Sequence, residues 1–305
     1  MQVVTNDKFQ PVPKTAFDKE AIVRPSLSYW KDAWRRLKKN KMSMAGLITL
    51  IVLALFAIFA PMFSSFDYYT QNYNTRYIWP SAQHWFGTDH FGRDMWVRVW
   101  WGTRISLFIG ITAATIDLIV GVLYGGISAY FGGRVDDVMQ RIIEIIYAIP
   151  FLLVSILLIM VLGPSIWSII LAYSITGWVP MARLVRGQIL QLKEQEFVLA
   201  ARTLGASPSR IIMRHLIPNA LGIIIVQITF VVPNAIFVEA FLSFIGLGIR
   251  PPMASLGRLL SEAVQYMTLY PYLILIPTVI FSLILLSFNL LGDGLRDALD
   301  PKMRK

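Results

Sequence analysis

Apolar residues along this chain gather into runs of about 20, the length a helix needs to cross a hydrocarbon core. Six runs stand out, at 45–63, 105–131, 145–163, 164–182, 220–242 and 273–291. Four contain no charged residue, the second contains Asp117, and the fifth contains Glu239. The third and fourth abut, so Leu162-Gly163-Pro164-Ser165 must turn tightly, which Gly and Pro permit. The pattern predicts an all-α polytopic membrane protein with six transmembrane helices.

Charge then orients the bundle. Only 15% of the residues are charged and the mean hydropathy is +0.59, whereas soluble domains carry about 25% charged residues. Of the 28 Lys and Arg residues, twenty-two fall in the N-terminal stretch, the second and fourth connections and the C-terminal stretch. The positive-inside rule therefore puts both termini in the cytoplasm. The net charge of +10 follows membrane side, which argues against nucleic-acid binding. With no cysteine and three scattered histidines, neither a disulfide nor a convincing metal cluster is expected. The polar stretch before residue 45 is too long for a secretory n-region, so the first run reads as an uncleaved anchor.

Residues 1–25 show no periodicity and carry Pro11, Pro13 and Pro25. Residues 28–41 put Trp30, Ala33, Trp34 and Leu37 on one helical face opposite a basic face. That pattern fits a helix lying in the membrane interface, and it also fits a helix packed on a partner subunit. The division expected is a cytoplasmic tail (1–44), a first span (45–63), an extracellular loop (64–104), a five-span core (105–291) with a cytoplasmic loop at 183–219, and a cytoplasmic tail (292–305).

The loop from Lys193 to Asn219 is the most informative stretch. Phe197, Ala200, Ala201 and Leu204 share a helical face, and Glu194 and Glu196 lie in the first turn, where the helix dipole favours anions. Gly205 suits a left-handed helix end, followed by Ala206, and Ser207 caps a second helix with Pro208 at its first position. Pro218 is expected to break the chain before the next span. The product is an elbow projecting from the bilayer, either resting on headgroups or meeting another surface.

This loop resembles the EAA loop of ABC-importer permeases, with Ala200, Ala201, Gly205 and Pro218 in register. Leu199 stands where the general pattern has Glu, and Glu196 is the nearest substitute. The stretch from Glu196 to Gly205 is similar to the peptide-permease form of the motif. His84–Arg98 resembles the external motif of the C-type permeases of oligopeptide and dipeptide importers, the oligopeptide branch being the nearer. Asn289–Lys305 resembles their tail motif, and Val232–Gly248 their fifth span. The resemblance implies a type I ABC importer permease fold and a transport subunit with no catalytic site. It implies a coupling role for Glu196, Phe197, Ala200, Ala201, Leu204, Gly205, Ala206, Pro208 and Pro218. It also implies a B-type permease partner, two ATPase subunits (D- and F-type) that use ATP and Mg, an extracellular substrate-binding protein, and oligopeptide as substrate, with dipeptides, nickel complexes or another small solute as the alternative cargo of the same complex type. No cofactor is expected on this chain, and no GxxxxGK[ST] occurs in it.

Within the external motif, Asp89, Arg93 and Asp94 are expected to pair among themselves and stabilise the loop. Asp293, Arg296, Asp297 and Asp300 can form a local network in the tail. A carboxylate at mid-bilayer costs several kcal/mol unless paired, protonated or facing water. Asp117 and Glu239 are therefore expected to face the bundle interior, as translocation-path residues or as structural hydrogen-bond partners. An ion-driven secondary transporter is the competing class, but no internal repeat is evident and only one carboxylate lies deep.

Overall fold

The computed structural model describes residues 29–300, and among them every named regular element is helical. The irregular reading of 1–25 and the last residues of the tail motif lie outside the described residues. Five helices are long and apolar enough to cross a membrane, and a sixth crossing results if one bent pair counts as a single span.

Helix α1 (Tyr29–Lys39) turns Ala33 and Leu37 inward and leaves Trp30 and Trp34 exposed. The face expected to act as one is thus divided. Leu37 packs near Gly294 at the C-terminal end of the chain's last helix, and the Tyr29 hydroxyl donates to the Leu299 carbonyl at 3.1 Å. Asn40 caps the next helix, α2 (Lys41–Phe59), by accepting from the Ser43 amide at 3.2 Å. Much of α2 presents Ile48, Ile51, Leu55 and Ile58 outward, as a helix facing lipid requires.

Helix α3 (Met95–Phe131) runs 37 residues, about 55 Å, and overshoots both edges of a hydrocarbon core of about 30 Å. It begins ten residues before the expected start at Ile105, because its first turns bury Arg98 in ion pairs that the hydropathy pattern does not register. The third expected span is two helices, α4 (Gly133–Ala148) and α5 (Phe151–Leu162), bent by 74°. Pro150 lacks an amide proton, and Ile149 before it is extended at φ −77°, ψ 122°, as a residue preceding proline prefers. Gly163 supplies the expected tight turn at φ 79°.

The fourth span combines α6 (Ile166–Thr176) and α7 (Trp178–Leu192). Helices α3 and α7 approach closely because Gly121 and Gly125 lie one turn apart on the facing side. A Cβ at Gly125 would sit 2.3 Å from the Ala182 carbonyl oxygen. Small residues allow this approach where the hydrophobic effect does not drive helices together.

A short helix, α8 (Glu196–Thr203), precedes the fifth span, α9 (Pro208–Phe244). Pro218 does not break the chain as expected. The turn before it, Ile212–Leu216, widens to π geometry, which absorbs the missing donor and lets the helix continue. Ser255 then caps α10 (Leu256–Ala263), and α11 (Tyr272–Leu299) closes the bundle. Against α11 the Ser43 end of α2 packs so tightly that a Cβ at Gly46 would lie 2.8 Å from the Ser287 carbonyl.

Two apolar clusters mark the two ends. Trp100, Leu256, Leu259, Tyr272 and Leu273 belong to one. Val185, Ile189, Val198, Ile211 and Leu216 belong to the other, at the basic end where α8 projects.

Candidate functional site

The elbow between α7 and α9 is self-contained. Gly205 adopts φ 76°. The Ala206 amide donates to the Ala201 carbonyl and the Gly205 amide to the Arg202 carbonyl, each at 3.0 Å, the paired closure of a Schellman helix end. The Ser207 hydroxyl accepts from the Arg210 amide at 3.4 Å, and Pro208 opens the next helix. Lys193 Nζ donates to the Ala129 carbonyl at the end of α3 at 3.1 Å, and the Arg202 guanidinium lies over the Tyr130 ring.

The face expected to carry four residues again separates. Ala201 is buried with Val198 against the bundle, while Phe197, Ala200 and Leu204 point outward. Leu204 is 87% exposed and Phe197 40%. Glu196, Gly205 and Pro208 are exposed, Ala206 is half-buried, and Pro218 is exposed at the π turn. The outward set is an apolar surface that the chain itself leaves uncovered. Under it lies a brace that sequence reasoning missed. Asp136 takes two bonds from Arg186, Nε at 2.7 Å and Nη2, and a short one from Ser128, tying α4 to α7 and α3. A charge at each of two span ends was the available signal.

At the far end, Asp89 and Arg93 do pair, Nε to Oδ2 at 2.6 Å. Asp94 does not join them. Its Oδ1 caps α3 through the Val97 amide at 3.0 Å, and its Oδ2 meets His84 Nδ1 at 2.8 Å. The larger partner is Glu262 on α10, which accepts from Arg93 and Arg98 at 3.1 Å each and from Arg258 at 2.8 Å. Arg98 is fully buried. Asp89, His90 and Glu262 bring ligand atoms within 4.8 Å of one another, but a cation there would compete with three fixed guanidinium groups. Burial pushes the half-buried His90 imidazole below its usual range, against the pull of Asp89 and Glu262. Burial also pushes the Tyr77 phenol up.

Both intramembrane acids are enclosed. Glu239 accepts from Ser106 at 2.9 Å, Ser243 at 2.9 Å and Ser255 at 2.6 Å, joining α3, α9 and the start of α10. Asp117 is fully buried on α3, and neither carboxyl oxygen has a hydrogen-bond partner among the described residues. Neither acid lines either of two cavities that open along α9. One, of about 470 Å3, is bordered by Tyr147, Tyr173, Thr176 and Asn234. The other, of about 430 Å3, lies toward the basic end and is bordered by Gln188, Asn219 and Arg296. Gln227 and Phe230 border both. In the tail, no ion pair links Asp293, Arg296 and Asp297, all of them among the described residues.

Helices of this length and hydropathy define a multi-spanning helical membrane protein. The chain belongs to the binding-protein-dependent transport system inner membrane components, whose family profile matches residues 118–305. A second profile, the N-terminal transmembrane domain of oligopeptide transport permease C, matches residues 28–80. The oligopeptide transport system permease protein OppC of Bacillus subtilis is 51% identical over the full length of both chains. The dipeptide transport system permease protein DppC of the same organism is also 51% identical, over 94% of this chain and 90% of its own. An inward-facing MetNI methionine ABC transporter structure aligns with a TM-score of 0.54 at 16% identity, covering 65% of this chain and 94% of that one. That likeness shows the fold, the type I ABC importer permease architecture. The chain is a multi-pass protein of the cytoplasmic membrane and an ABC transporter permease.

Proposed function

We propose that this chain is one of two membrane-spanning subunits of an importer that carries oligopeptides across the cytoplasmic membrane by alternating access. The observation that carries the reading is the exposed apolar set Phe197, Ala200 and Leu204 on an elbow whose backbone bonds are already satisfied. Such a surface is built to meet a partner, and large exposed apolar groups at a rigid corner are costly otherwise. The partner is an ATPase subunit. Glu196, Gly205, Ala206 and Pro208 shape the contact, while Ala201 and Pro218 hold the elbow on the bundle.

In this reading the basic end is cytoplasmic. Two ATPase subunits, of D- and F-type, close on ATP and Mg and draw together the elbows of this chain and of a B-type permease. ATP drives the change only through its differential affinity for the closed state. An extracellular binding protein delivers the peptide. The Asp89–Arg93–Arg98–Glu262 cluster braces the outer mouth, and Glu239 anchors α3, α9 and α10 rather than touching substrate. Equal identity to an oligopeptide and a dipeptide permease supports peptide as the class, and uptake of peptides of graded length reads the preferred size.

Leu204→Asp tests the coupling. The position is exposed, so the chain should still assemble with the other permease, yet copurification of the ATPase subunits and peptide-stimulated ATP hydrolysis should both be lost. Normal hydrolysis and uptake in that variant would remove the elbow from the mechanism.

A further inference from the structure

We infer that the stripe of α9 carrying Asn219, Gln227 and Asn234 is a track for peptide backbone, on which side-chain carboxamides meet the amide groups of an extended peptide in transit. The inference rests on the peptide-import reading above and names where this chain touches its substrate.

Four observations converge on it. First, the two cavities along α9 share Gln227 and Phe230 in their lining, so they lie next to each other along the helix, from mid-span toward the basic end. Second, Gln227 and Asn234 lie within about 6 Å of the middle of the apolar run at 220–242, at 1.5 Å per helical residue. Asn234 is exposed there and Gln227 half-exposed. A carboxamide turned toward hydrocarbon loses its water hydrogen bonds and gains none, so these groups face a wet path or a polar partner.

Third, much of their bonding capacity is free, although Asn219 Nδ2 donates to the His215 carbonyl at 2.6 Å. Asn234 Nδ2 donates to the Tyr173 hydroxyl at 3.2 Å, which fixes the amide and leaves Oδ1 as an acceptor. Gln227 and Gln188 make no side-chain hydrogen bond among the described residues. Fourth, the spacing fits an extended chain. Asn234 lies seven positions after Gln227, about 10.5 Å along the helix axis. An extended peptide advances roughly 3.3 Å per residue, so this is the span of about three residues.

The chemistry follows from the group itself. A carboxamide is neutral and carries one acceptor and one donor end, the complement of a peptide bond. The mid-span walls add Tyr147, Phe151, Thr176 and Val238 and no charged residue. Such a track holds the part common to all peptides and ignores their side-chain charge. Arg296 and Asp300 enter only at the mouth near the basic end.

The test uses the complete importer with its binding protein in proteoliposomes. Asn234→Leu and Gln227→Met keep volume and remove the hydrogen-bonding groups. Each should lower ATP-driven uptake of tri- and tetra-alanine about tenfold, the value of one well-placed hydrogen bond, with subunit stoichiometry unchanged. This chain has no cysteine, so Asn234→Cys and Gln227→Cys introduce its only thiols. An Ala-Lys-Ala peptide bearing a bromoacetyl group on the lysine should alkylate both during turnover, the thiolate displacing bromide. Ile51→Cys, exposed on the outward side of α2, should stay unlabelled, and excess tri-alanine should block the reaction. Wild-type uptake in both variants without labelling overturns the track and leaves peptide import standing. Variants that lose the partner permease overturn it too, by assigning the carboxamides to a subunit contact. A wild-type complex that imports none of these peptides overturns the import reading, and the track with it.

Discussion

Arg98 shows how one side chain can move the edge of a membrane span. A guanidinium cannot shed its proton, so burying it requires compensating charge. Asp89 and Glu262 provide that charge from a loop and from α10. Removing one partner leaves uncompensated cations, at a cost of about 3–5 kcal/mol. Glu262→Ala should therefore lower the thermal unfolding temperature in detergent by several degrees, while Asp67→Ala, on an exposed side chain of the same loop region, should leave it unchanged. Gly125 tests packing in the same way. Gly125→Leu would drive a side chain into the Ala182 carbonyl, part of a helix backbone that cannot yield, and overpacking of this kind costs about 1–3 kcal/mol or more. Loss of folded protein on size exclusion is the expected result.

His90 adds a pH dependence at this scale. Its folded value lies below the ordinary one because burial disfavours the cation, so folding binds the neutral ring. The stabilisation is complete above the unfolded value of about 6.5 and is lost as pH falls through the lower folded value. Melting curves between neutral and mildly acid pH should show the decline, and His90→Phe should flatten it.

Among the elements, the bent pair α4 and α5 departs most from a simple reading of hydropathy. The apolar run predicts one span, but Pro150 removes a helix donor and holds Ile149 extended, while Asp136 pins α4 to Arg186. Pro150→Ala restores the donor and should straighten the junction, shown by a longer distance between spin labels at Val138 and Met160, both exposed. Pro218 had the opposite outcome, because the π turn before it kept α9 whole. The two prolines look alike in the sequence. What separates them is the backbone before each: Pro150 follows an extended residue, whereas Pro218 lies in the first helical turn after a π segment, where a missing amide proton is tolerated. The elbow was legible in outline, since Gly205, Ser207 and Pro208 each favour one backbone state. The inward turn of Ala201 was not, because helical periodicity places residues on a face without saying how wide the covering surface is.

For the whole molecule, the distribution of positive charge predicts a single orientation. Gly205→Cys in right-side-out vesicles should resist a membrane-impermeant maleimide and react once the vesicles are opened. The bundle keeps its charged clusters at its two ends, Asp136–Arg186 at one and Asp89–Arg93–Arg98–Glu262 at the other. The middle is left to small-residue packing, the enclosed Asp117 and the cavity beside Gln227 and Asn234. That division keeps fixed charge near water and out of the hydrocarbon, where it would be costly.

By itself the sequence determined the lipid-crossing runs, the gathering of Lys and Arg at alternate connections and the helix-turn-helix elbow. Each of these depends on neighbours within about 20 residues, through hydrogen bonding, hydrophobic length and local backbone preference. Only the tertiary structure decided that Asp94 caps a helix instead of joining Arg93, that Glu262 neutralises two buried arginines from 164 and 169 residues away, and that three serines enclose Glu239. Those outcomes depend on which distant groups the packed helices bring within a few ångströms, and no local pattern encodes that distance.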